Sequence, residues 1–254
     1  MERILKEGKD MFKAKLTADV LKEIIEVSGH IVDEIAMNLN SDGLSIKAVD
    51  PSHVAMVDMN LSKNAFQEFE ADEVSIAVEM DKMREIMKLA KSGSVITMEH
   101  DAEKNRLNVT VGNILRRMGL LSSSSITTPK VPELELPASV ILNTDEIKQG
   151  IKAAESISDH VTIIIEPESF SMEAKGDTDE VRLKLAKDQL IEINCTDKQR
   201  SMFPLDYFSN MIKAASNSSN LKINLGTDFP VRLEFTIAGG NGEVTYLLAP
   251  RIED

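Results

Sequence analysis

The chain has 254 residues, with 42 Asp plus Glu against 29 Lys plus Arg and a formal net charge of −13. That length accommodates one or two domains with a buried core, and the acidity excludes a uniformly basic nucleic-acid binder, so any such contact must rest on local charge. Hydrophobic content of 42% excludes a disordered chain, while one cysteine, four scattered histidines and no Trp exclude internal disulfides, a structural zinc site and a stacking platform for single strands.

Residues 1–10 alternate charge without an apolar core, and no run of eighteen apolar residues occurs. Neither a signal peptide nor a membrane span is expected, so an intracellular protein is anticipated. From Thr17 the pattern becomes regular. Thr17-Ala18-Asp19-Val20-Leu21 places Asp two residues before a large apolar residue, and Ile25 and Ser28 follow Leu21 at helical spacing. This predicts a helix buried on one face, with Thr17 as N-cap and Asp19 facing the unsatisfied N–H groups of the first turn. Ile35–Leu39 and Leu44–Ala48 alternate with period two around a Ser41-Asp42-Gly43 turn, which predicts a hairpin.

A second helix is predicted from Met80-Asp81-Lys82-Met83 through Met87 and Ala90, followed by strands at Val95–Met98 and Leu107–Val111. Ser122–Pro132 is rich in Ser, Thr and Pro and reads as a surface linker extended at its prolines; a long loop inside one domain is the alternative. The pattern then starts again. Asn143-Thr144-Asp145-Glu146-Ile147, with Ile151 and Ala154, predicts a third helix, and Pro204-Leu205-Asp206-Tyr207-Phe208, with Ile212 and Ala215, a fourth. Alternating runs at Val161–Ile165, Phe170–Ala174, Leu221–Leu225 and Val231–Phe235 predict strands, the last followed by a Gly239–Gly242 turn.

One offset of 126 residues relates Asp19 to Asp145 and Ala48 to Ala174 without a gap. The economical reading is an α+β chain of two equivalent halves, each with two helices and many antiparallel strands. No constellation for catalysis accompanies it. The Gly239–Gly242 run has no following helix or Lys-Ser/Thr, and neither a Gly-x-Ser-x-Gly elbow nor a His-Glu-x-x-His helix occurs. His53, beside Asp50 and Ser52, is the single histidine that suggests a dyad, and a hydrolase built on it would lack a nucleophile pattern.

The repeat also orders the positive charge. One and five residues after the anchoring apolar residue stand Lys22, Arg84, Lys148 and Ser209, then Glu26, Lys88, Lys152 and Lys213; six of these eight are basic. The two positions lie about 40° apart around a helix and form one stripe beside the buried face, which Lys91 extends on the second helix. Such a stripe is either a solvated helix face or, if the four helices face one way, a surface that attracts a polyanion without reading its sequence. Glu23 and Glu26 interrupt it on the first helix, so the contact is expected to be weak and salt-sensitive.

Two segments together carry a family resemblance. Gly43-Leu44-Ser45-Ile46 leading into Val49-Asp50-Pro51-Ser52-His53-Val54, and the tail Leu247-Leu248-Ala249-Pro250-Arg251-Ile252-Glu253-Asp254, resemble proliferating cell nuclear antigen (PCNA), the DNA sliding clamp of archaea and eukaryotes, over nearly the whole chain from Met11. The resemblance implies the DNA clamp fold, with residues 11–121 and 136–254 as clamp domains, 122–135 as connector and 1–10 as a disordered extension or mis-assigned start. It implies a homotrimeric ring around double-stranded DNA, without enzymatic activity or cofactor, in the cytoplasm at the nucleoid. Lys22, Arg84, Lys88, Lys91, Lys148, Lys152 and Lys213 would face the DNA. The ring would tether DNA polymerase, clamp loader, flap endonuclease and DNA ligase through a short motif. Its pocket would comprise Val49, His53, Val131, Pro230, Leu247, Ala249 and Pro250, although Val49 and Leu247 also suit ordinary core packing. Leu247 stands where many members carry an aromatic residue, and Ser122–Ser125 replaces a more acidic, apolar connector. Subunits would join through edge strands, here Asn108–Leu115 and Glu180–Leu185, unless both are ordinary edges within one chain. The rival reading is one subunit of a heterotrimeric or checkpoint-type clamp.

Overall fold

The computed structural model describes residues 11–252. The leader Met1–Asp10, expected to be an extension or a mis-assigned start, lies outside the described residues, as do Glu253 and Asp254 of the tail.

The first half runs β1 (Phe12–Thr17), α1 (Ala18–Gly29), β2 (Glu34–Asn40), β3 (Gly43–Val49), β4 (Ala55–Ser62), β5 (Glu68–Ala71), β6 (Val74–Glu79), α2 (Met80–Met87), β7 (Val95–Asp101), β8 (Arg106–Val111) and β9 (Ile114–Gly119). The second repeats it as β10 (Ala138–Asn143), α3 (Thr144–Ala154), β11 (His160–Glu166), β12 (Ser169–Lys175), β13 (Glu180–Ala186), β14 (Glu192–Asn194), β15 (Gln199–Pro204), α4 (Leu205–Ala214), β16 (Asn220–Leu225), β17 (Val231–Ile237) and β18 (Gly242–Leu248). Between them, residues 126–137 form neither helix nor strand, and the Arg232 guanidinium ties the segment to the sheet by donating to the Leu134 carbonyl at 3.0 Å.

Helix starts are fixed in two ways. Thr17 and Asn143 cap α1 and α3 as expected, accepting from the Val20 and Asp145 N–H groups. The first N–H of each helix also donates to a carbonyl elsewhere, Ala18 to Ser94 at 2.8 Å and Thr144 to Ser219 at 3.1 Å. α2 and α4 have no side-chain cap and rely on this bond alone, to Asp33 and Asp159 at 2.8 Å. α2 is shorter than expected. It ends at Met87, so Ala90 and Lys91 lie in the loop that follows, and the stripe does not continue onto Lys91 along a helix.

Three antiparallel sheets result, ordered β5-β1-β7-β8-β9, β13-β12-β11-β15 and β14-β10-β16-β17-β18-β4-β3-β2-β6. The nine-stranded sheet is composite: β18 of the second half pairs with β4 of the first over seven residue pairs, from Gly242↔Leu61 to Leu248↔Ala55. The strands equivalent to β18 and β4 are β9 and β13, and both are left as edges. The second expected edge therefore falls on β13. The first, Asn108–Leu115, is corrected to β9: β8 is paired on both sides, by β7 and β9, because alternation alone cannot distinguish an inner strand from the outer strand of the same hairpin.

The core is closed by residues of predicted apolar faces, Phe170 and Phe208 among them, together with residues outside the predicted runs. Phe12, Phe170, Phe203, Phe208 and Tyr246 are fully buried, each contributing about 1.5–3 kcal/mol of burial. Tyr246 on β18 also donates its hydroxyl to the Val27 carbonyl of α1 at 2.6 Å, joining the halves inside the core. Burial pushes its phenol far above the ordinary range.

Candidate nucleic-acid interface and docking face

The four helices lie side by side in the order α3, α4, α1, α2. This arrangement gathers part of the basic stripe. Lys22, Lys148 and Lys213, from three helices, line one depression of 520 Å³ with Glu26 and His30. Lys22, Arg84 and Lys91 line a second, 530 Å³ in volume, between α1 and α2, which also contains Asp19 and Glu26. Lys88 and Lys152 are exposed and line neither depression.

Carboxylates neutralise much of this charge. Lys22 pairs with Glu26 at 3.6 Å, Arg84 with Asp81 at 2.7 Å, Lys148 with Asp145 at 2.8 Å and Lys213 with Glu155 at 2.7 Å. Ser209, which interrupts the stripe, is buried and donates to the same Glu155 carboxylate. In the first half Arg84 occupies the place of Ser209 and donates to the Gly29 carbonyl, Gly29 standing where the second half has Glu155. Both halves thus strap their two helices together, one through a guanidinium and one through a carboxylate. The Lys213 ammonium and Ser209 hydroxyl outweigh partial desolvation and hold the Glu155 carboxyl below its ordinary pKa. Burial and the nearby Arg84 guanidinium lower that of His30. Glu23 has a structural role: its carboxylate accepts from the Ala238 N–H at 2.7 Å and the Asn217 amide at 2.9 Å, tying α1 to the second half.

On the nine-stranded sheet, the register places Val49, Met56, Leu247 and Arg232 in one row across β3, β4, β18 and β17. Side chains of such a row share a face. Pro230 and Ala249 continue it by the two-residue period, and Arg232 reaches from it to the connector carbonyl of Leu134. Leu247 is buried, Val49, Val131, Pro230, Ala249 and Pro250 are half-buried, and His53 is exposed. Phe229, 52% exposed, projects beside Pro230.

His53 sits at a tight turn with φ +57°, its N–H donating to the Asp50 carbonyl at 2.9 Å. Asp50 organises that loop. Its buried carboxylate accepts from the N–H groups of Ser52, Val54 and Ala55 at 3.1, 2.6 and 2.7 Å, and from the Tyr207 hydroxyl of α4 at 3.0 Å. Burial raises the carboxyl pKa, but the hydrogen bonds from Ala55, Tyr207, Val54 and Ser52 outweigh it and leave it below the ordinary value. The carboxylate orients backbone and phenol rather than an imidazole, which overturns the dyad suggested by the Asp50-x-x-His53 spacing.

Residues 11–118 match the family described as proliferating cell nuclear antigen, N-terminal domain, and residues 130–251 match its C-terminal domain. This chain belongs to the proliferating cell nuclear antigen family. Relatives named DNA polymerase sliding clamp from Methanococcoides burtonii and Methanosarcina barkeri are 43% and 42% identical over 96% of this chain and 99% of theirs. The structure of A. fulgidus PCNA bound to the C-terminal region of FEN-1 matches with a TM-score of 0.90 and 36% identity, covering 96% of this chain and all of that one. PCNA from Thermococcus kodakaraensis shares the fold, with a TM-score of 0.87 at 24% identity.

Several residues that shape these faces of the chain escape a reading by spacing. Met56 joins the row because β4 alternates, but its own run, Ala55-Met56-Val57, reads as continuous core. The acceptors Asp50, Glu23 and Glu155 look like solvated acids in sequence. Each has a side-chain or backbone partner far along the chain: Tyr207 is 157 residues from Asp50, Ala238 and Asn217 are 215 and 194 from Glu23, and Lys213 is 58 from Glu155.

Proposed function

We propose that three copies of this PCNA-family chain close head-to-tail into a sliding clamp around duplex DNA and tether replication and repair enzymes to it, without catalysis of their own. The division into residues 11–121, a connector at 122–135 and 136–254 belongs to this reading, as does a cytoplasmic location at the nucleoid. The DNA, DNA polymerase, clamp loader, flap endonuclease and DNA ligase are its partners. Relatives named DNA polymerase sliding clamp and the archaeal complex with FEN-1 support it.

The observation that carries the reading is the pair of unpaired edges. Within the chain, β18 and β4 join the two halves; by the internal repeat, β9 of one copy stands to β13 of the next as β18 stands to β4. Carrying the β7–β8, β8–β9, β16–β17, β17–β18, β3–β4 and β12–β13 registers through the repeat onto the β18–β4 pairing gives Ile114 opposite Leu183, Leu115 opposite Arg182 and Arg116 opposite Val181. Ile114 and Leu115 are large apolar side chains 50% and 46% exposed on this edge, and the pairing would satisfy its backbone groups. The arginines at this joint each keep a carboxylate of their own chain, Arg116 with Glu85 at 2.5 Å and Arg182 with Glu173 at 3.2 Å, and neither falls opposite the other. A repeated head-to-tail joint closes into a ring when its rotation permits.

Basic side chains on the helical layer, Lys22, Arg84, Lys88, Lys91, Lys148, Lys152 and Lys213, supply sequence-independent contact with phosphates, weak enough to permit sliding. The row Val49, Leu247, Pro230 and Ala249, with His53, Val131 and Pro250 around it, supplies an apolar docking face, where a few buried anchors carry most of the binding energy. The test is a chain carrying Ile114→Cys and Leu183→Cys. Under oxidation it forms covalent multimers, whereas Ile114→Cys with Glu180→Cys does not. Absence of cross-linking from the first pair would overturn the joint.

A further inference from the structure

We propose that a basic groove on the second half receives acidic residues flanking a peptide docked on the Val49–Leu247 face, an inference that rests on the docking reading above. The groove encloses 720 Å³ and is lined by His160, Thr162, Lys175, Arg200, Met202 and Arg251, with Glu173 at one side. The Arg251 guanidinium lies 2.6 Å from His160 Nε2, and the Arg251 N–H donates to the Met202 carbonyl at 2.7 Å, fixing the tail along β15. Glu173 is engaged by Arg182 at 3.2 Å and Lys175 lies 3.8 Å from Glu180, both partners outside the cavity. With Lys175, Arg200 and Arg251 against one carboxylate, the lining keeps a net positive character.

The internal repeat separates structural need from function. The tail bridge Met202↔Arg251 has its counterpart in Ala77↔Leu121 of the first half. At the positions of His160, Thr162, Lys175, Arg200 and Arg251, that half carries Glu34, Ala36, Val49, Ser75 and Leu121. The same backbone is therefore built without cations, and the fold does not require them.

Placement selects the ligand. Val161, Ile163 and Ile165 of β11 turn into the core toward the helices, so His160 and Thr162 face the opposite side from the cations of the helical layer. Arg251 follows Ala249 and Pro250 directly, and two residues of extended chain span about 7 Å. A peptide seated beside Ala249 thus reaches the groove with its neighbouring residues. Carboxylate side chains complement a cavity of this size and charge.

The test uses two synthetic peptides with the same aromatic and aliphatic docking plug, one flanked on both ends by four Glu and the other by four Ser. At about 50 mM salt, where screening is modest, the Glu-flanked peptide binds the full-length protein roughly tenfold more tightly, a gap of about 1.4 kcal/mol. That advantage disappears in Lys175→Ala/Arg200→Ala, which leaves the Ser-flanked affinity unchanged. Equal affinities for the two peptides would overturn the groove, while binding of neither would overturn the docking face. In that second case, hexaglutamate titrated against the His160 ring resonance decides the groove by itself: a shift lost in the double variant supports it, and no shift overturns it. A duplex oligonucleotide that moves the His160 resonance while hexaglutamate does not would assign the groove to nucleic acid and also overturn the proposal.

Discussion

The Tyr207 hydroxyl of α4 donates to the buried Asp50 carboxylate at 3.0 Å, linking the helix beside Lys213 to the loop that carries His53. The bond ties the helical layer of one half to the docking face of the other. Tyr207→Phe removes the donor and leaves Asp50 with its three backbone partners. The expected loss is about 1–2 kcal/mol of stability, read as a lower thermal midpoint, and a weaker affinity for docking peptides because the Asp50–His53 turn loosens. An unchanged midpoint and peptide affinity would show that the bond carries neither.

Asp50 also sets a pH dependence. Its folded pKa lies below the ordinary carboxylate value, so its contribution is complete above the unfolded pKa of about 3.9 and is lost as pH falls through the lower folded value. Asp50→Asn destabilises the protein at neutral pH, and the gap between variant and parent narrows below about pH 4. Denaturant midpoints measured from pH 3 to 7 check this; a gap constant across that range would contradict it.

The ion pairs on the helical layer grade the cations. Among the described residues, Lys88 and Lys152 form no ion pair, whereas Lys22, Arg84, Lys148 and Lys213 each have a carboxylate partner. Lys88→Ala and Lys152→Ala therefore weaken duplex binding more than Lys148→Ala does. Removing one lysine–phosphate interaction makes log K less steep against log salt by about 0.9. Titrations of labelled duplex at several salt concentrations measure both quantities, and equal losses for all three variants would contradict the grading.

Glu155→Gln gives the opposite sign. The amide keeps an acceptor for the buried Ser209 hydroxyl while releasing the Lys213 ammonium, so duplex affinity rises at low salt and the gain fades as salt is added. A fall in affinity with the fold intact would show that Lys213 does not face the polyanion.

Much of the fold is legible in the chain because its signals are local and occur twice. Thr17 and Asn143 mark helix starts by capping chemistry, and alternation marks β2, β3, β11 and β12. Local signals lose the boundaries and the long-range acceptors. Lys91 keeps the stripe's spacing but lies beyond the end of α2 at Met87. β8 and β9 alternate alike, and which of them is the edge is decided by pairing across the sheet. The charge pattern is also less segregated than spacing suggests. Asp81, Asp145 and Glu155 sit among the stripe cations, while His160, Lys175, Arg200 and Arg251 gather on the other side of the second half. Net charge reports neither fact, because it carries no position.

The central claim is a ring of three chains closed through β9 and β13, and mass in solution tests it most directly. Sedimentation equilibrium of the purified protein at micromolar concentration should give three times the chain mass of 28.1 kDa. Ile114→Glu, which places a charge opposite Leu183, should shift that mass toward the single chain while the circular dichroism spectrum stays unchanged. A monomer for the unaltered protein, or a trimer indifferent to Ile114→Glu, would contradict the account.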